Sequence, residues 1–112
     1  MKQVTLNILG TDYTVCRETE SENPSMLGNS GLCEPYSKRI ILDTTDNGVG
    51  TVENYDAYCH RVLRHEAFHA IFHEAGWTKY HLDEDLVEAL AILYPKIQAI
   101  MEKADALDLT KI

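Results

Sequence analysis

The sequence predicts a small α+β fold: a small antiparallel sheet, built from an N-terminal hairpin plus one or two strands, packed against an antiparallel helical pair. Three observations carry that expectation. Alternation of apolar and polar residues, the period of a strand, is confined to the first half of the chain. Apolar spacings of three and four, the period of a helix, take over afterwards. The breaker cluster "DNGVG" stands between the two regimes. With 112 residues in all, the chain is expected to be one domain, with a strand region over residues 1–50 and a helical region over residues 51–112.

Each element follows from its residues. "QVTLNIL" sets Val4, Leu6 and Ile8 against Thr5 and Asn7, and "YTVCRET" alternates in the same way, so residues 3–19 read as a β-hairpin turning over residues 10–12. "ESENPSMLGNSG" has the Pro, Gly and Ser chemistry of an exposed, mobile loop. A further strand is expected over residues 38–43, preceded by a short extended piece at 32–34 and a break at Pro35. From residue 54 to 75 the apolar positions Tyr58, Val62, Phe68, Ile71, Phe72 and Ala75 recur at helical spacing, with Asn54 as N-cap and Gly76 as stop. Asp83 then caps a second helix whose first turn is acidic, as the helix dipole favours, and whose Leu86, Val87, Leu90, Ile92 and Leu93 face a core. Tyr94 is expected in that core too. Pro95 is expected to kink or end this helix, leaving "KIQAIMEKADAL" as a short third segment.

Charge and cysteine usage exclude several function classes. A formal net charge of -8 and a pI of about 4.9 argue against nucleic-acid or anionic-membrane partners, whose binding needs clustered Lys and Arg. No run of eighteen apolar residues and no secretory leader is visible, which predicts a soluble cytoplasmic protein. Cys16, Cys33 and Cys59 are scattered, without the close pairing of a zinc knuckle or redox motif, and read as reduced, partly buried thiols.

The chemistry concentrates in "RHEAFHAIFHEAG", where His65, His69 and His73 repeat at a constant spacing of four and so share one face of the first helix. Two histidines at i and i+4 can hold one zinc ion, and the residue after the first lies close enough to act on a metal-bound water. Glu66 follows His65, whereas Ala70 follows His69, so only the first pair comes with a base. A third ligand should come from the second helix, which a connection of about seven residues turns back beside the first. Helix rise favours Glu88, which has climbed about 7 Å from the start of that helix, over Glu84, which has climbed almost nothing. Asp85 is a candidate to hydrogen-bond a ligating imidazole, and Glu84 a candidate to pair with His73. Glu66 is the expected general base towards a polarised carbonyl. For the further donor that a tetrahedral intermediate needs, His73, His81, Tyr80, Tyr36 and Tyr55 all remain open. As separate residues, His60 and His81 read as surface positions, and Trp77 as a cover for the end of the helical pair. An exposed strand edge over residues 38–43 would suit a peptide bound by β-addition.

"LRHEAFHAIFHEAG" followed by "DEDLVEALAILYP" resembles the ImmA/IrrE family of zinc metallopeptidase domains, particularly its short phage-encoded members. The resemblance covers the two helices well and the strands more weakly. It implies a gluzincin-type site with His65 and His69 as ligands, Glu66 as base and Glu88 as third ligand, one Zn2+ as cofactor, and a protein or peptide as substrate. Larger members cleave transcriptional repressors, which points to a regulatory protein of phage or mobile-element origin. The family usually carries Ala-Asn where this chain has Ala91-Ile92, so that asparagine's polar contact is lost here. Imidazole and carboxylate ligands suit zinc, with manganese, iron and nickel as alternatives. The competing function is a non-catalytic, zinc-stabilised binding or inhibitor protein that keeps the metal as a staple for a small core. Glu66 favours the enzyme, because a structural site has no use for a base, whereas His73 as a fourth ligand would favour the binding protein.

Overall fold

Alternating side chains in the first 18 residues fold into a hairpin, and the computed structural model, which describes residues 3–43 and 54–112, shows its register. β1 (Gln3–Ile8) and β2 (Thr11–Glu18) pair antiparallel with Ile8 opposite Thr11. The turn is therefore Leu9-Gly10, slightly earlier than expected. Both turn residues have positive φ, 51° and 94°, the conformation whose twist matches the flanking strands. Asn7 steadies the turn by accepting from the Gly10 amide and donating to Asp12. The break expected over residues 46–50 lies outside the described residues.

β3 (Gly31–Glu34) and β4 (Arg39–Asp43) form a second antiparallel hairpin, and the sheet order is β1-β2-β4-β3. The sheet is mixed, not wholly antiparallel as expected: β4 runs parallel to β2, with Val15 beside Ile40. The cause is the segment 19–30, which carries the chain past β2 so that β3 is laid down on the outside and β4 fills the gap in the same direction as β2. That segment is largely exposed, as its composition predicts, but it is anchored at one point. A short 3-10 turn (Pro24–Met26), capped by Asn23, sets Met26 at 0% exposure against Cys16 and Ile41 on one sheet face. The opposite face carries Ile8, Tyr13, Val15 and Ile40, which pack with Ala70, Leu63, Ala67 and Ile71 of the first helix. β1 is barely covered, so Val4 and Leu6 remain exposed despite their alternation.

α1 (Tyr55–Glu74) begins where Asn54 accepts from the Ala57 amide and ends at Gly76, as expected. Gly76 takes φ 77°, the left-handed conformation that permits its N–H to reach the His73 carbonyl and the Trp77 N–H to reach Phe72. Its last turn is pinned to the sheet by Glu74, which accepts from the Tyr13 hydroxyl at 2.6 Å and from Lys38 Nζ at 2.8 Å. The Lys38 and Tyr13 bonds pull the Glu74 carboxyl down to about 2, while burial and the same hydrogen bond push the Tyr13 phenol up. A turn of helix, α2 (Thr78–His81), occupies what the sequence presents as plain connection. α3 (Glu84–Asp105) starts on the expected Asp83 cap, which accepts from the Leu86 amide.

α3 runs unbroken through Pro95, contrary to the expected kink or stop. A proline deprives the carbonyl four residues earlier of its helical donor, and here that carbonyl belongs to the buried Ala91. Arg64 of α1 supplies the missing donor, its Nε 2.8 Å from the Ala91 oxygen. The two helices cross: Glu84 reaches His65 and His69, Glu88 reaches Arg61, and Tyr94 packs edge-on against Phe68. Only Val87 and Ala91 of α3 are buried, and Leu93 and Tyr94, expected in the core, are 44% and 43% exposed.

Arg64→Leu should cost about 1–3 kcal/mol in denaturant melts by orphaning a buried carbonyl. Much of that cost should vanish when Pro95→Ala restores the helical donor, and purely additive losses in the double mutant would contradict the assignment. A carboxyl held below its unfolded value contributes stability above the unfolded pKa, and that contribution is lost as pH falls through the folded one. Glu74 should therefore make the wild type lose stability between about pH 4.5 and pH 2. Glu74→Gln should flatten this part of the pH profile, read as melting temperature against pH.

Candidate metal centre

The helical spacing of four sets the His65 and His69 rings on one side of α1, where their Nε2 atoms lie 3.2 Å apart. The Glu84 carboxylate, on the first turn of α3, closes the triangle: one oxygen is 3.0 Å from His65 Nε2 and the other 3.0 Å from His69 Nε2. These three are the group among the described residues whose donor atoms fall close enough to share one ion. Tetrahedral zinc at about 2.0–2.1 Å from each donor would hold the donors roughly 3.3 Å apart, which the 3.2 Å between the two nitrogens fits, while the two Glu84 edges run to different oxygens.

The ring orientations are fixed from behind. His69 donates from Nδ1 to the His81 carbonyl at 2.7 Å, and His81 donates from Nδ1 to the His69 carbonyl at 3.0 Å. With its proton on Nδ1, His69 presents the Nε2 lone pair to the site. Burial pushes the His69 pKa down, in the direction that keeps the ring neutral. Glu88 addresses the other nitrogen of His65, with Oε1 3.5 Å from Nδ1, while Arg61 grips both its oxygens at 3.3 Å. The Arg61 bond draws the Glu88 carboxyl below its usual value.

The acid that meets the Nε2 atoms of the histidine pair is Glu84, where the sequence favoured Glu88, which lies against Nδ1 of His65. The rise argument fails because the connection is not a passive loop. α2 and the paired His69 and His81 carry the chain back up α1 before α3 begins, so Glu84 arrives already level with the histidines. The expected Glu84–His73 pairing is absent for the same reason. His73 lies a turn away, edge-on to Tyr36 and His81, and Asp85 is exposed and bonded to neither imidazole.

Glu66 faces the other way, towards the sheet. It is 8% exposed, and burial pushes its carboxyl up to about 7, opposed by the charge of His65 and by the Cys33 amide that donates to it. That amide is free because of the register. Asp43 donates to the Ser30 carbonyl, so the N–H and C=O groups of alternate residues Gly31 and Cys33 point away from β4. Gly31 lets the strand come this near: a Cβ there would lie 2.6 Å from Val62 Cγ1 and 3.0 Å from Glu66 Cγ. Burial beside Glu66 pushes the Cys33 thiol up to about 12, consistent with an inert, reduced cysteine.

These groups line a cleft of about 530 Å³. Sequence reading missed Tyr58 and Arg61 on its walls, whereas His81, one of the donors it left open, is there. The edge expected over residues 38–43 is interior, because β4 lies between β2 and β3, and the free edge at the cleft is β3. No family model, curated protein or solved structure matches this chain.

Gly31→Ala should destabilise the fold by about 1–3 kcal/mol through overpacking. Adding Val62→Ala should recover part of that loss, and no recovery would mean that the close approach lies elsewhere.

Proposed function

We propose that this chain is a zinc-dependent metallopeptidase that hydrolyses a peptide bond in a protein or peptide substrate. The observation that supports it is the arrangement around one cleft: His65, His69 and Glu84 bring their donor atoms together, while the buried Glu66 lines the same cleft outside that group. His65, His69 and Glu84 would hold the ion, and Glu88 would orient His65. Bound zinc supplies a Lewis acid that polarises a carbonyl and brings a water towards neutrality. Glu66, with a carboxyl near 7, suits the acceptance and return of a proton at neutral pH. His81 and Tyr58 line the cleft, whereas Tyr36, Tyr55, Tyr80 and His73 do not, so the first two are the better candidates to steady a developing oxyanion. The free carbonyls of Gly31 and Cys33 suit an extended peptide laid along β3.

The resemblance to short ImmA/IrrE members extends the proposal to a cytoplasmic enzyme whose substrate is a regulatory protein of phage or mobile-element origin. Among the described residues no helix is long and apolar enough to cross a membrane.

Metal content per chain tests the site. About one zinc is expected, lost in His65→Ala, His69→Ala and Glu84→Ala, retained in His73→Ala, and bound about 10–100-fold more weakly in Glu88→Ala. Glu66→Gln should keep the metal while hydrolysis of a complex peptide mixture, followed by mass spectrometry, falls by at least about 100-fold. A zinc that requires His73 would favour the zinc-stabilised binding protein instead, and a metal-free protein would overturn the zinc site and leave a binding module without metal.

A further inference from the structure

The crossing of α1 and α3 has an outcome at the far end of the chain. After Tyr94 meets Phe68, α3 continues to Asp105 with every side chain exposed. Ile97 is 37%, Ile100 63% and Met101 58% exposed. The molecule is accordingly drawn out, 59 Å long against 37 and 27 Å across.

This helix is not the polar rod that solvent on all sides would favour. Leu86, Leu90, Leu93, Ile97, Ile100 and Ala104 follow one another at alternating intervals of four and three. That heptad spacing keeps one apolar seam aligned along a helix and is met by the knobs and holes of a second helix with the same repeat. The seam starts under α1 and runs out into solvent.

Charge favours one occupant. The chain carries -8 overall, yet residues 92–112 hold Lys96, Lys103 and Lys111 against Glu102, Asp105 and Asp108, a balance of zero. All the acidity lies in residues 1–91. The projecting segment is thus the part of this acidic chain where two copies can meet without mutual repulsion, and it offers no net charge to attract a basic partner. The exposed apolar side chains on this stretch, Leu93, Ile97, Ile100 and Met101, offer a contact at the small end of specific interfaces.

We propose that the projecting half of α3 docks a second copy of this chain through the Leu93, Ile97 and Ile100 seam, forming a homodimer of paired helices. The contact is isologous, the same face on both copies, and its modest area sets it among reversible dimers. It is independent of the metal centre, which lies at the other end of α3.

Sedimentation equilibrium on the full chain tests this, with and without zinc, from about 1 µM to about 500 µM. The mass should rise from the 12.7 kDa of one chain to about twice that value, whether or not zinc is present. Ile97→Glu with Ile100→Glu should hold the mass at one chain over the same range, with an unchanged far-UV spectrum. Met101→Lys, at the border of the seam, should shift the association to higher concentration by about tenfold or more. A wild-type chain that stays at single mass throughout would overturn the proposal, as would a dimer that survives the double substitution.

Discussion

The structure turns on one buried carboxylate. Glu66 sits on the face of α1 that packs against the sheet, and burying a carboxyl there is tolerable only with a donor directed at it. The donor is the Cys33 amide, and it is available because β3 is an edge strand whose odd-numbered residues point outward. Had the sheet been a simple meander, the strand beside α1 would have used those amides for pairing. The crossover that makes β2 and β4 parallel therefore does more than fix the order of strands. It leaves an unpaired edge at the helix and lets Gly31 bring that edge into contact.

The second half of the site depends on a different device. A helix starting beyond Gly76 and simply running back would place its first acid too far from the histidines. α2 and the reciprocal bonds between His69 and His81 draw the chain across the end of α1 instead, so that α3 enters level with the rings. The steep entry has a cost: α3 can bury only Val87 and Ala91 before it passes α1. Arg64 holds the crossing together by answering the carbonyl that Pro95 leaves without a partner. One choice of crossing thus places Glu84 and exposes the apolar end of the helix.

The parts of this arrangement legible in the sequence were those governed by neighbours along the chain. The caps Asn54 and Asp83, the stop at Gly76, the first hairpin and the alignment of His65 with His69 all follow from local geometry. What escaped were matters of tertiary pairing. Nothing in "SKRIILD" distinguishes a parallel neighbour from an antiparallel one, since the buried run reads alike in both. Glu84 and Glu88 share a helix face, and only the path of α2 decides which meets the imidazoles. Leu93 and Tyr94 carry the signature of a core helix, yet periodicity records an apolar face without saying what covers it. Pro95 misled because its missing bond was answered by a side chain from another element.

The charges in the cleft bear on its purpose. Glu66, Glu84 and Glu88 converge around two histidines, and Arg61 answers only Glu88. The charges of Glu84 and Glu88 add to burial in pushing the Glu66 carboxyl up, so the group is crowded with acid beyond what its fixed cation offsets. A network kept only for stability would gain from exchanging one of these acids for an amide. On the proposed reading, the excess negative charge is the electrostatic setting that a small bound cation would offset. Glu66 is the exception that gives the cluster direction. It lies on the sheet side near the Cys33 amide, where burial raises its carboxyl pKa.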